Sequence, residues 1–323
     1  MILIFTNSNE YTTDEVINWL LFKPSHFVRI NNDTKGLKAT VSIDQTSCKF
    51  TLEIQGKNNP IVVRFDQIDT YWYRRGGYNI VSYIIERQTK SQIRKSINNY
   101  IEKEVSSMQE LIHSILRTST RGIGNIAHNK LSKTQVLLLA QSVGLNIPIT
   151  LLTNDENSAD DFLSRHAFVI TKAITNMSIQ VNSNMSLGGP TITFQEKQSP
   201  LNPALFQEKI DKAYELRIFY LDGQCYPMAI FSQLDEQTSI DFRKYNFSKP
   251  NRTPPYKLPD EISHKIERLM SKLNMNCGSI DMVVTKQKEY VFLEVNPIGQ
   301  FKQVSLPCNF YLEQKIANFL NYG

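Results

Sequence analysis

The sequence predicts a mixed α/β (α+β) protein built from more than one packed subdomain, on three observations. An apolar pentapeptide opens the chain and runs into a helical pattern, a stretch of about thirty residues near the middle carries a helical apolar stripe, and two β-rich runs near the C-terminus flank a short loop. At 323 residues the chain exceeds the usual single-domain size of roughly 100–200 residues, so two or three subdomains are expected.

Residues Met1 to Phe5 read as a buried strand, and Thr12 with Glu15 reads as a capping box ahead of Val16, Ile17, Trp19 and Leu20. Alternating segments at 37–43, 49–54 and 61–65 follow, with Asn58-Asn59-Pro60 as a turn signal, and then Tyr71-Trp72-Tyr73-Arg74-Arg75. From Gln88 to Thr118 the residues Ile93, Ile97, Ile101, Val105, Met108, Ile112 and Ile115 recur every three or four positions, which predicts one long amphipathic helix. Arg121 to Asn129 breaks that pattern and sets a domain boundary near residue 120. A second helix is predicted from Ser132 to Gly144, capped by serine in front and glycine behind, with further helices at Pro259–Leu273 and Tyr311–Leu320. The small residues 183–189 read as a hairpin loop sooner than as a lid over phosphates.

Composition narrows the function classes. Hydrophobic residues at 41% and charged residues at 21% describe a globular chain, not a disordered or fibrous one. The net charge of +5 is spread along the sequence and does not form the basic stripe of a nucleic-acid binder; it fits an anionic substrate or solvated lysines equally well. Cys48, Cys225, Cys277 and Cys308 lie far apart with no metal-ligand or redox spacing. The longest apolar run, Val136 to Ala140, is far below the ~20 residues of a membrane span. A cytoplasmic protein with no nucleic-acid or membrane partner is expected.

The chemistry concentrates in Asp281-Met282-Val283-Val284 and Tyr290-Val291-Phe292-Leu293-Glu294-Val295-Asn296-Pro297, two runs that read as a hairpin. Pairing Thr285 with Tyr290 puts Asp281 opposite Glu294, and the period of two puts Asn296 on the same face, with Met282, Val284, Val291, Leu293 and Val295 toward the core. Two opposed carboxylates repel one another unless a cation lies between them. The all-oxygen set Asp281, Glu294 and Asn296 suits Mg²⁺; a solvated surface hairpin is the alternative.

At these residues the chain resembles the ATP-grasp ligases, whose metal-binding strands carry an Asp and a Glu-x-Asn. The resemblance extends through most of residues 120–323. Asn129-Lys130 with the helix that follows is similar to the family's opening motif, and Lys172 to its strand lysine; both imply contacts with nucleotide phosphates. Phe206-Gln207-Glu208-Lys209-Ile210 resembles the hinge that takes adenine, and Tyr214-Glu215-Leu216-Arg217 the acid-x-Arg strand, in which Arg217 implies stabilisation of the transferred phosphate and of the tetrahedral intermediate.

A narrower resemblance, spanning nearly the whole chain, is to the graspetide synthetases of microviridin and grasp-with-spasm type. It rests on Ile2 to Thr6, Tyr71 to Arg75, Asp241-Phe242-Arg243-Lys244-Tyr245-Asn246 and Asn296 to Phe301. It implies an ATP-grasp fold with an N-terminal pre-ATP-grasp domain at 1–120, followed by an ATP-grasp domain at 121–323 whose parts, 121–210 and 211–323, hold ATP between them. It further implies ATP with one or two Mg²⁺ ions, a precursor peptide with leader and core as partner, and a homodimer. In the chemistry so implied, Arg217, Arg243, Lys172 and Asp241 are catalytic, and Lys130, Lys172, Gln207, Glu208, Lys209, Ile210, Glu215 and Arg217 hold the nucleotide. Asp241 reads equally as a turn residue, and Arg74 and Arg75 read as partners of nearby acids more readily than as peptide ligands. A ligase for amino acids or short peptides, and a nucleotide-binding scaffold without turnover, are the competing readings.

Overall fold

The computed structural model describes residues 1–56, 59–76, 78–80, 91–175, 178–182, 185–188, 192–194, 201–232 and 251–321, with backbone alone at 91, 178–182 and 185–188. The chain divides into two compact units: Met1–Asn129 together with Tyr311–Gly323, and Lys130–Phe310.

The first unit contains β1 (Ile2–Thr6), α1 (Tyr11–Leu21), β2 (Phe27–Asn31), β3 (Lys38–Ile43), β4 (Cys48–Ile54), β5 (Ile61–Arg64), β6 (Thr70–Tyr73), α2 (Ser91–Ser119) and β7 (Arg121–Ile123). Strands β2-β1-β6-β7, in that order, form an all-parallel sheet, and β3-β4-β5 form an antiparallel one. A central parallel strand is covered on both faces, and accordingly all five residues of β1 are buried. Leu3, Phe5, Tyr71 and Tyr73 share a core with Phe50 and Leu52 of β4 and with Ile112 and Leu116 of α2. The alternate residues Ile2, Ile4 and Trp72 face the other way, where α1 packs against the C-terminal helix Leu312–Asn321.

That helix explains why the units differ from the expected division at residue 120. Thr70 Oγ1 donates to Leu320 O at 2.7 Å, Lys23 Nζ donates to Asn318 Oδ1 at 2.6 Å, and the Arg121 guanidinium lies 3.9 Å above the Phe319 ring. The last helix thus belongs to the first unit, which also keeps residues up to Asn129. The long helix is present from Ser91. The capping box is not: Glu10 is the N-cap of α1 without a side-chain cap, and Thr12, inside the first turn, donates its hydroxyl to Glu10 Oε1 at 2.5 Å.

The second unit contains α3 (Lys133–Ser142), β8 (Thr150–Thr153), α4 (Glu156–Arg165), β9 (Val169–Thr171), β10 (Ser178–Asn182), β11 (Met185–Gly188), β12 (Ile192–Thr193), β13 (Ala204–Glu208), β14 (Lys212–Leu221), β15 (Gln224–Ile230), α5 (Asp260–Lys272), β16 (Cys277–Thr285), β17 (Tyr290–Asn296) and α6 (Lys302–Cys308). Ser132 caps α3 by accepting from Gln135 N, and Gly144, at φ +85°, follows its end, as expected. Strands β10 and β11 pair antiparallel, so 185–188, expected within a loop, form a strand, while 183, 184 and 189 lie outside the described residues. Two four-stranded sheets, β12-β9-β13-β8 and β15-β14-β16-β17, make the frame. One face of the second sheet, with Leu216, Ile218, Ile280, Met282, Val284 and Phe292, packs on α3 and α5 through Val136, Ala140, Ile266 and Leu269. Helix α6, with Pro307 inside it, was not expected. Among the described residues no helix is long and apolar enough to cross a membrane.

One residue of the first unit is out of keeping with its surroundings. His113 is 1% exposed, its ring lies among Phe5, Tyr73 and Tyr78, and neither ring nitrogen has a hydrogen-bond partner. Burial pushes its pKa down from 6.5 to about 3, so the folded protein keeps it neutral while the unfolded chain takes up a proton below 6.5. Folding stability therefore falls as pH drops from 6.5 toward 3, by up to about 1.4 kcal/mol per pH unit from this group. His113→Phe is expected to flatten that decline, read from urea unfolding of both proteins at pH 7 and pH 5.

Candidate active site

The site is built on the face of the β15-β14-β16-β17 sheet opposite α3 and α5. Arg217 of β14 pairs with Asp281 of β16, which pairs with Glu294 of β17; the next position on that face pairs Ser279 with Asn296. Asp281, Glu294 and Asn296 thus share one face, but not by the simple register. Tyr290 faces Val284 instead of Thr285, so the plain alternation would have put Asp281 opposite Leu293. A β-bulge at Leu293 absorbs the extra residue and restores Glu294 to Asp281. The same bulge reverses the parity of the first half of β17, so that Phe292 reaches the helix-side core. Val291, expected in that core, lies on the face of Asp281 and is buried there, while Leu293 is the bulged residue.

The cation facing Asp281 is part of the chain. Arg217 Nη1 lies 2.5 Å from both carboxylate oxygens, and the pair is largely buried, with side-chain exposures of 6% and 15%. Asn296 Nδ2 donates to Asp281 Oδ2 at 3.2 Å, which leaves the amide oxygen as a remaining acceptor. Half-buried Glu294 makes no ion pair or hydrogen bond among the described residues. Arg217 Nε is likewise buried without a hydrogen-bond partner. An oxygen-only donor set with one uncompensated carboxylate fits a hard divalent cation such as Mg²⁺, and the open Nε fits an anionic oxygen on the substrate side.

Glu215 lies two residues before Arg217 on the same face, 6% exposed, and forms an ion pair with Lys212. A three-residue spacing does not place two side chains on one face of a regular strand. A bulge between Lys212 and Tyr214 does, and nothing in the sequence announced it. Beyond Asn296 the chain turns through Gly299, at φ +63°, whose N–H bonds to Asn296 O at 3.1 Å. A Cβ there would come within 3.0 Å of Phe219, so the turn that seats Asn296 needs glycine.

The remaining expected residues are on other elements. Lys172 directly follows β9 and is half-buried; Lys130 ends a short 3₁₀ turn before α3 and is exposed. In the hinge segment Gln207 is 1% exposed and donates from Nε2 to Thr150 Oγ1 at 2.8 Å, so its side chain serves the sheet. Glu208 is tied at both ends to Ile149: its N–H bonds to Ile149 O at 3.0 Å and Oε1 accepts from Ile149 N at 2.8 Å. Lys209 N bonds to Phe168 O at 2.9 Å, which holds the exit of β13 rigid before Ile210. Asp241 and Arg243 lie outside the described residues.

No protein-family model matches the sequence, nor does any curated protein. Solved structures do. A RiPP-associated ATP-grasp ligase from Chryseobacterium gregarium, in complex with ADP and a leader and core peptide, matches at 26% identity and a TM-score of 0.79, over 99% of this chain and 96% of that one. The chain is an ATP-dependent ligase with an ATP-grasp fold, similar to graspetide synthetases. The macrocyclase MdnC of Microcystis aeruginosa, bound with precursor peptide MdnA, is 25% identical to this ligase with a TM-score of 0.76, over 99% of each chain. D-alanyl-alanine synthetase A of Vibrio cholerae shares the fold at 14% identity and a TM-score of 0.57.

Two outcomes test the electrostatics of the ligase. Arg217→Met removes the guanidinium paired with the Asp281 carboxylate and is expected to destabilise the protein by about 3 kcal/mol, read by denaturant unfolding without divalent ions. Glu294→Gln removes the like charge opposite Asp281; it is expected to raise the melting temperature slightly in EDTA and to abolish any rise that added Mg²⁺ gives the wild type.

Proposed function

We propose that the protein is an ATP-dependent peptide macrocyclase. It activates Asp or Glu side chains of a precursor peptide as acylphosphates and closes ω-esters with Ser or Thr, or ω-amides with Lys. The observation that carries this reading is the sheet face of Arg217, Asp281, Glu294 and Asn296, within a chain that matches, end to end, a ligase held with ADP and a leader and core peptide. Asp281, Glu294 and Asn296 would hold Mg²⁺, which supplies charge neutralisation on the phosphates when bound.

The other roles fall to this chain's own groups. Lys130 and Lys172 offset negative charge on the nucleotide, taken to lie between the sheet of β13 and the sheet of β14, with backbone groups at Lys209 and Ile210 toward adenine. The rigid exit of β13 supports that placement. Glu215, neutralised by Lys212, sets the strand from which Arg217 reaches the reacting carboxyl. Arg217 stabilises the oxyanion that forms when the hydroxyl or amine attacks, and its buried Nε supports that assignment. Arg243 and Asp241 are proposed at the acceptor carboxyl and the attacking hydroxyl. Because both partners belong to one peptide, holding them together supplies several kcal/mol of the barrier reduction. All four cysteines are free, which agrees with a reducing, cytoplasmic setting. A homodimer is proposed by analogy with the family.

Intact-mass analysis of a candidate precursor incubated with the ligase and Mg-ATP is expected to show the loss of one water per ring with matching ADP release, and neither with Asp281→Asn. ADP release with free amino acids and no change in peptide mass would transfer the activity to small substrates.

A further inference from the structure

The parallel sheet of the first unit has a topological switch point. From β1 the chain crosses through α1 to β2 on one side, whereas from β6 it crosses through α2 to β7 on the other. The loops leaving the C-terminal ends of β1 and β6 therefore diverge, and such divergence is where open parallel sheets take their ligands. The first loop supplies Glu10 and the second supplies Arg74 and Arg75.

These three form one network across the switch point. Glu10, 7% exposed, meets Arg75 Nε at 3.0 Å through Oε2 and Arg74 Nη2 at 3.6 Å through Oε1. Arg74 is 2% exposed and donates from Nε and Nη2 to Thr12 Oγ1 at 3.3 and 3.2 Å, so it is consumed by the fold. Arg75 differs. A third of its side chain is exposed, and among the described residues its two terminal nitrogens have no hydrogen-bond or ion-pair partner. Glu10 reaches Arg75 only at Nε, so the charge on its terminal nitrogens is left open among the described residues.

The neighbourhood is held in place by its own contacts. Arg29 donates from Nη2 to Asn7 O at 2.8 Å and pairs through Nη1 with Asp14, which clamps the loop after β1 and neutralises that acid. Asp33 accepts from Ser8 Oγ at 2.6 Å. Gly76, at φ +73°, turns the chain away directly after Arg75, with the Asn7 side chain seated where a Cβ would be. A preorganised guanidinium with two open donors is suited to bidentate capture of a carboxylate.

We propose that Arg75 is a carboxylate-binding residue that receives an acidic side chain of the peptide substrate at this switch point. The proposal rests on the peptide reading above and adds to it a site in the first unit. Glu10 acts as a positioning residue, fixing Nε so that the two terminal nitrogens face outward.

The test uses the full chain and two synthetic probes, acetyl-Glu-Gly-Glu-Gly-Glu-amide and its glutamine counterpart, titrated by calorimetry without nucleotide. Wild type is expected to prefer the acidic probe by roughly tenfold, the worth of one charge-assisted pair. Arg75→Gln is expected to bind both probes alike and weakly, with ADP binding unchanged. Should that variant fail to fold, Arg75→Lys keeps the charge beside Glu10 but loses the planar fork, and is expected to lose part of the preference. Equal preference in wild type and variant overturns the proposal, as does a wild type indifferent to the acidic probe. The mass assay with a precursor is scored separately: water loss that Arg75→Gln leaves at the wild-type rate overturns the Arg75 site and keeps the macrocyclase, whereas probe preference without any water loss keeps the site and removes the macrocyclase.

Discussion

The site depends on one arrangement of charge, in which an arginine on a central strand is locked to the first of two acids on neighbouring strands. Asp281 and Glu294 face one another at a separation where like charges raise the energy of the sheet. Arg217 relieves one of them from the other side, and its burial makes that relief strong, since little water competes. Glu294, with no ion pair or hydrogen bond among the described residues, is left to attract a further cation.

Backbone irregularities decide which side chains take part. The bulge at Leu293 brings Glu294 opposite Asp281, and the bulge before Tyr214 brings Lys212 to the face of Glu215. Without either, the residue composition of these strands would be unchanged and the constellation would be lost, because a one-residue slip exchanges the two faces of a strand.

This also explains what could be read from the sequence. The long helix of residues 91–119, the serine cap of α3 and the strands around the hairpin follow from periodicity and local chemistry, which are written residue by residue. Asp281 and Glu294 were correctly paired although the assumed register at Tyr290 was off by one, since a bulge compensated for the error. The pairing of Glu10 with Arg74 and Arg75 was foreseen only as a general tendency of arginines to find acids; Glu10 was not named, because its partners are more than sixty positions away. The membership of the last helix in the first unit was missed for the same reason: docking onto α1 leaves no local trace in the amphipathic pattern.

That docking gives the first unit a discontinuous chain. Residues 130–310 are spliced into it, and the helix that completes its second layer emerges only after they have been made. During synthesis the second unit is therefore complete in sequence while the last helix has yet to cover its share of the Ile2 and Ile4 face of β1. Closure of that face by the late helix is a long-range event in sequence, with a correspondingly large loop entropy. The ordering makes the first unit, whose β1 and β6 loops are joined by the Glu10–Arg75 ion pair, the last to mature.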